Sequence, residues 1–93
     1  MDIERLIKLG NTQEDCYVKK VLKAILDAYE NTKKKNLFES WETISEAIHD
    51  DFNKYFDVLA QHKIIVEHPW GYGAYGGWFV TLTEWAIDKL ETS

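Results

Sequence analysis

Three histidines and two aspartates are the residues whose types could support metal chemistry. His49, Asp50 and Asp51 are adjacent in the chain, and His62 and His68 follow them. Zinc sites are built from Cys, His and carboxylate ligands at recurrent short spacings, and these residues match none of those spacings. We therefore predict no metal site and ordinary structural roles for the histidines, with His62 near the buried edge of its helix and His68 at the end of a strand.

The single cysteine, Cys16, has no partner for an internal disulfide bond. This usage is typical of a reducing compartment. Periodicity places Cys16 near the start of a helix, on the face opposite the main apolar stripe of that helix. An incidental thiol, a bridge to a second chain and a reactive role are the three open interpretations.

Motifs for phosphate or covalent chemistry are missing from the sequence. Gly71-Tyr72-Gly73 lies in a predicted hairpin, whereas a phosphate-binding loop stands between a strand and a helix and is followed by a lysine. No serine stands in a nucleophile elbow. We predict that the protein is not an enzyme, uses no cofactor and has no small-molecule substrate.

Recognition chemistry is better represented, by four large aromatic residues. Trp70, Tyr72, Tyr75 and Trp78 lie among glycines in the stretch from His68 to Phe79, which holds no Lys or Arg. Large rings beside glycines give a large contact area at a low cost in side-chain entropy, a composition enriched in protein recognition sites. We predict that the four residues bind a partner. The alternatives are rings folded back over a small core and rings stacked on single-stranded bases.

The elements that position these rings follow from capping and periodicity. Ser40 is a good N-cap for a first helix, and Asp50 can cap a second helix that carries Phe52, Phe56 and Leu59. After Lys63 the chain changes to strand-forming residues on both sides of the glycine-rich stretch, which indicates a hairpin. Strand-forming residues are Ile64, Ile65 and Val66 before the tip, and Trp78, Phe79, Val80 and Leu82 after it.

Helices are predicted at both ends of the chain. Asp2 can cap a short helix through Leu9, and Asn11 or Thr12 can start a long helix to about Tyr29 or Glu30. The long helix has a narrow apolar stripe of Val18, Val21, Leu22, Ile25 and Tyr29. Thr83 can cap a last helix, in which we expect Trp85, Ala86 and Leu90 to face inward.

A second, smaller apolar strip flanks the main stripe of the long helix. Small residues there allow another helix to approach closely, either from the same chain or from a copy of it. We prefer a homodimer through the terminal helices, with the intrachain contact as the alternative. The candidate dimer contacts are Ile3, Ile7, Tyr17, Ala24 and Ala28.

The net charge of −5 hides an asymmetry along the chain. Residues 1–35 carry eight basic and six acidic residues, whereas residues 36–93 carry three basic and ten acidic residues. Lys33, Lys34 and Lys35 form a polar connector, which we interpret either as a solvated loop or as candidate contacts to phosphate or to an acidic protein. Because Lys and Arg supply the non-specific affinity of proteins for DNA, the acidic second half disfavours DNA binding.

The order of these elements resembles the winged helix-turn-helix superfamily. The predicted fold is mainly α with a small β-hairpin (α+β), in the order α-α-(β)-α-α-β-wing-β-α, with residues 36–38 as the short optional strand. One domain of 1–93 would comprise N-terminal helices (1–30), a helix-turn-helix (40–61), a wing hairpin (63–82) and a C-terminal helix (83–92). The Leu82-Thr83-Glu84 start of the last helix is similar to the end of many winged-helix regulators.

The resemblance implies by default a homodimeric transcriptional regulator that binds duplex DNA through the second helix of the motif. The outward face of that helix would be Asn53, Lys54, Asp57, Val58 and Gln61. Asn and Gln can pair with adenine, and Lys can reach guanine or phosphate. Carboxylates on the same helix would repel phosphates, and the helix carries a single lysine.

Protein recognition is therefore the preferred function, with DNA binding as the alternative. We predict a non-catalytic regulator or adaptor whose acidic helix face and aromatic wing bind a protein partner, which can itself be a basic nucleic-acid-binding protein. In that case the acidic face would imitate the charge of DNA. Because no apolar run approaches the roughly 18 residues of a membrane span and no signal peptide is visible, we expect a cytoplasmic protein.

Overall fold

Helices make up most of the described chain, and a β-hairpin precedes the last of them. The structure, a computed structural model, describes residues 3–48, 53–70 and 77–91, and of residues 41, 47, 53–55, 70, 77 and 78 only the backbone. These ranges form an α+β domain. Its elements are a 3-10 helix (Ile3–Arg5), α1 (Gln13–Thr32), α2 (Trp41–Ile48), α3 (Asn53–Gln61), β1 (Ile65–Trp70), β2 (Gly77–Leu82) and α4 (Glu84–Glu91).

Helix α1 begins as its capping residue predicts and ends at Thr32, two or three residues beyond the predicted end. The Thr12 hydroxyl oxygen accepts a hydrogen bond from the backbone N–H of Asp15 at 3.1 Å, which confirms Thr12 as the N-cap. Lys33 ends the helix in the left-handed region, with φ of 56°, and its N–H donates to the carbonyl of Tyr29. All five residues of the predicted apolar stripe are buried.

Helix α3 ends in a Schellman motif built on a lysine. Lys63 lies in the left-handed region, with φ of 61°. The N–H of Ile64 donates to the carbonyl of Leu59 at 3.0 Å, and the N–H of Lys63 donates to the carbonyl of Ala60 at 3.0 Å. His62 lies in this turn and is exposed, so the predicted position near a buried edge was wrong. The reason is that α3 ends at Gln61, one residue before it.

The hairpin pairs β1 with β2 in an antiparallel register that opposes Ile65 to Leu82 and Pro69 to Trp78. The N–H of Leu82 points away from β1, because it donates to the carbonyl of Lys35 at 2.9 Å. Along each strand, the N–H groups of every second residue point to the same side, so the pair of Pro69 and Trp78 has the same orientation as the pair of Ile65 and Leu82. The missing N–H of Pro69 therefore falls on the outer edge of β1, where it removes no bond between the two strands.

One apolar core joins all of these elements. Helix α1 packs on both α2 and α3, and α3 packs on β1. Phe56 and Leu59 of α3 are buried, as predicted, and Tyr29 is the one described residue with a polar side-chain group that is buried. The Tyr29 hydroxyl donates to the Glu91 carboxylate at 2.9 Å and so links α1 to α4; that hydrogen bond, with burial, raises the pKa of Tyr29.

Two predictions about the ends of the chain were wrong. The predicted N-terminal helix to Leu9 is a single 3-10 turn, in which the N–H of Leu6 donates to the carbonyl of Ile3 at 2.9 Å. Trp85 does not face inward but is 42% exposed, because the adjacent Ala86 takes the fully buried position of α4.

No helix within the described ranges is long and apolar enough to cross a membrane.

Candidate interaction surface

An aromatic cluster of Phe38, His68 and Phe79 lies on the outer face of the hairpin. The ring centroids of Phe38 and Phe79 are 5.1 Å apart in an edge-to-face arrangement, and His68 stacks on Phe79 at 5.1 Å. Phe38 remains 46% exposed, and Val66, on the same face of β1 as His68, is 47% exposed. The hairpin therefore presents an apolar and aromatic surface to its surroundings.

The segment that precedes α2 brings Phe38 to this surface. Asn36 forms a β-bridge with Thr81, and the N–H of Leu37 donates to the carbonyl of Val80 at 3.2 Å. The side-chain oxygen of Asn36 then accepts from the N–H of Phe38 at 2.9 Å, which turns the chain. Residues 36–38 thus add a single bridge to the edge of β2 in place of the short strand that the sequence predicted. A shallow groove of about 330 Å³ lies beside it, between Lys34, Glu39 and the Phe38 and Phe79 rings.

A pair of carboxylates lies where α3 meets the hairpin. Glu67 shares the face of β1 with the buried Ile65, so its side chain lies on the core side of the sheet and is half-buried. Burial raises the pKa of Glu67 above its ordinary value of 4.5, and the negative charge of Asp57 raises it further. A cationic group at this place would relieve the repulsion between the two carboxylates, whereas a phosphate would add to it.

We expect Glu67→Gln to stabilise the protein at about pH 7 by about 0.2–1 kcal/mol, the size of an exposed charge interaction. A raised pKa in the folded state means that stability is fully present below the unfolded value and is lost as the pH rises through the folded value. The difference between variant and wild type should therefore vanish below about pH 4. Urea unfolding of the variant and of wild type, at about pH 7 and below about pH 4, measures this difference in stability.

The matched variant for this test is Asp57→Asn. It removes the negative charge that is one of the two causes of the raised pKa of Glu67. NMR titration should therefore show a lower pKa of Glu67 than in wild type. That pKa should still exceed the ordinary value, because the burial remains. A Glu67 pKa that is the same in Asp57→Asn and in wild type would contradict the interaction between the two carboxylates.

The three lysines of the connector, predicted as candidate phosphate contacts, are exposed and lie beside carboxylates. The Nζ–Oε distances are 2.9 Å for Lys33 and Glu30, 3.5 Å for Lys34 and Glu39, and 3.4 Å for Lys35 and Glu84. Exposed ion pairs are weak, about 0–1 kcal/mol, so they do not fix the lysines in place. They do lower the local positive potential that would attract phosphate.

The predicted outward face of the second motif helix is described in part. Asp57 and Gln61 are exposed, whereas Val58 is half-buried and packs against the core. Val58 is covered because α3 contacts both α1 and β1, so its apolar face is wider than one stripe. Asn53 and Lys54 stand at the start of α3, and their side chains lie outside the described part of the chain.

The predicted aromatic wing lies mostly outside the described residues. Trp70 ends β1 and pairs with Gly77, and Trp78 of β2 pairs with Pro69, but the structure describes only the backbone of the two tryptophans. Tyr72 and Tyr75 fall within residues 71–76, which the structure does not describe. Their role in partner binding stays a prediction.

The candidate dimer contacts pack within the chain. Ile7 and Ala28 are buried, and the other three residues are partly buried against the same core: Ile3, Tyr17 and Ala24. These contacts correspond to the intrachain alternative. They leave little exposed surface on Ile7 and Ala28 that a second copy of the chain could contact. The homodimer stays a prediction.

The remaining candidates for chemistry are dispersed. Cys16 is exposed, His62 is exposed and His68 belongs to the aromatic cluster. Among the described residues no three His, Cys, Asp or Glu side chains are placed to hold a metal ion. His49, Asp50 and Asp51 are not described.

The aromatic cluster was not predicted as a site from the sequence. Alternation within β2 places Phe79 and Thr81 on the face opposite Val80 and Leu82, and this signal could have identified Phe79 as outward. Comparison with known proteins adds no further assignment, because no family model, curated protein or solved structure matches the chain. The surface is therefore interpreted from its own chemistry.

Proposed function

We propose that this chain is a non-catalytic winged helix-turn-helix domain that acts as a regulator or adaptor by binding a basic protein partner. The order of helices, bridging segment, hairpin and closing helix supports the winged-helix assignment. The binding surface comprises the acidic side of α3 and the aromatic residues of the hairpin.

The observation that carries this proposal is the carboxylate pair Asp57 and Glu67. Winged-helix proteins that read DNA insert the helix equivalent to α3 into the major groove. Here that helix and the adjacent strand hold two carboxylates close enough for one to raise the pKa of the other. Phosphates would be repelled at this junction, and arginine or lysine side chains of a partner would be attracted.

Two further observations support a protein partner. The aromatic cluster and Val66 provide apolar contact area on the outer face of the hairpin, which is the face of β1 opposite that of Glu67. Apolar and aromatic residues dominate the centre of protein interfaces, and charges at the rim steer the encounter. The lysines at 33–35, which would favour DNA, each lie beside a carboxylate.

The test compares two labelled probes by fluorescence anisotropy at about 50 mM and 200 mM salt, over which phosphate contacts lose affinity steeply. One probe is mixed-sequence duplex DNA, and the other is a peptide of alternating arginine and leucine. We expect the peptide to bind and the duplex not to bind at either salt concentration. The double variant Trp70→Ala with Tyr72→Ala should bind the peptide more weakly, because those rings are predicted to supply apolar contact area.

Variants that remove charged side chains test whether the peptide binds at the proposed surface. Asp57→Asn with Glu67→Gln should weaken binding more than Glu14→Gln with Asp27→Asn, which changes the net charge equally on the exposed face of α1. Equal weakening would indicate attraction by net charge alone and would contradict the proposal. Duplex binding that collapses at high salt would instead favour a homodimeric DNA regulator with Asn53, Lys54 and Gln61 as its base contacts.

A further inference from the structure

A groove of about 590 Å³ lies beside α1 between Cys16 and Asp27, and no residue of the hairpin lines it. Leu26, which is buried, lines it together with Ile3 of the 3-10 helix, which is half-buried against the core. The exposed thiol of Cys16 lines it as well. The volume falls in the range of roughly 300–1,000 Å³ that is typical of small-molecule sites.

The groove is positively charged in a protein that is acidic overall. Lys19, Lys20 and Lys23 line it, against one carboxylate, that of Asp27. The ammonium group of Lys19 is held by a hydrogen bond of 2.9 Å to the carbonyl of Gly10. Like charges three or four residues apart on a helix repel each other, so an anion between Lys20 and Lys23 would relieve repulsion as well as gain attraction.

We propose that this groove binds a small organic anion with an apolar body, of the kind represented by a free fatty acid. Its carboxylate contacts the ammonium groups of Lys20 and Lys23, and its hydrocarbon chain lies on Ile3, above the buried Leu26. The combination of cationic rim and apolar floor distinguishes this class of ligand from inorganic phosphate, which would leave the apolar floor uncovered. The site uses no residue of the surface proposed for the protein partner, so the two proposals stand or fall separately.

Isothermal titration calorimetry with octanoate tests the site, with 1-octanol as the uncharged match of the same chain length. We expect octanoate to bind more tightly than 1-octanol. Lys20→Gln with Lys23→Gln should weaken the binding of octanoate about tenfold or more, because its carboxylate loses the charge-assisted hydrogen bonds to the two ammonium groups. Lys33→Gln with Lys34→Gln changes the net charge equally and should leave the affinity within about twofold.

Cys16 reports where octanoate binds. Because its thiol lines the groove, saturating octanoate should slow its alkylation by iodoacetamide several-fold, as followed by mass spectrometry. Equal weakening by the two lysine pairs, equal affinity for 1-octanol, or an unchanged alkylation rate would each overturn the proposal. Binding to vesicles of anionic phospholipid without binding of octanoate would also overturn it, in favour of a membrane-surface contact.

Discussion

Leu37→Ala is expected to lower the free energy of unfolding by about 2–5 kcal/mol, as for other leucines removed from a packed core. Leu37 lies in the connector between α1 and α2, outside any helix or strand, yet its side chain is 0% exposed. Its backbone is held on both sides, since its N–H donates to Val80 and its carbonyl accepts from Ser40. The surroundings therefore cannot collapse easily into the cavity left by the substitution.

The neighbouring residue supplies the control. Phe38→Ala removes a larger side chain that is 46% exposed and has an edge-to-face contact with Phe79. It should cost only about 1 kcal/mol, since such ring pairs contribute about 0.5–1.5 kcal/mol. Urea unfolding followed by circular dichroism compares the two variants. A larger loss for Phe38→Ala than for Leu37→Ala would contradict the arrangement in which Leu37 is the inward residue of this pair.

Thr83→Ala is expected to lower the free energy of unfolding by about 1–3 kcal/mol, the combined size of a helix cap and a second hydrogen bond. The Thr83 hydroxyl accepts from the N–H of Ala86 at 3.1 Å and donates to the carbonyl of Lys63 at 2.6 Å. One side chain thus caps α4 and fixes it to the turn that ends α3. Hydrogen exchange should show the greatest loss of protection in α4.

Two further substitutions separate the hydroxyl from the shape of the side chain. Thr83→Ser keeps both hydrogen bonds and should cost less than about 1 kcal/mol, whereas Thr83→Val keeps the shape and should lose about as much as Thr83→Ala. A Thr83→Val variant as stable as wild type would show that the two hydrogen bonds contribute little.

Capping and periodicity predicted the long helix well because these signals are local. Thr12 precedes a run of apolar residues at helical spacing, and both the cap and the stripe are confirmed. The Thr83 cap is confirmed for the same reason. The end of α1 was harder, because the helix stops at Lys33, a lysine in the left-handed region, where the sequence offers no glycine.

Surface positions were predicted less well, because exposure depends on what packs against each element. Trp85 was expected to be buried from its apolar character, but only one narrow side of α4 meets the core, and Ala86 occupies it. Val58 was expected on an open face, but α3 lies against both α1 and β1. A periodic pattern indicates that a helix has an inner face, and the neighbouring elements determine how wide that face is.

The sequence by itself determined the order of α1, α2, α3, the hairpin and α4, the acidic character of the second half of the chain and most of the core. These properties depend on residues that are neighbours along the chain. Only the tertiary structure decided which distant side chains come together. Phe38 contacts Phe79 and Tyr29 contacts Glu91, the charge of Asp57 acts on Glu67, and Ile3 lines one groove with the lysines of α1. Such contacts arise from the packing of whole elements, and no local pattern of residues specifies them.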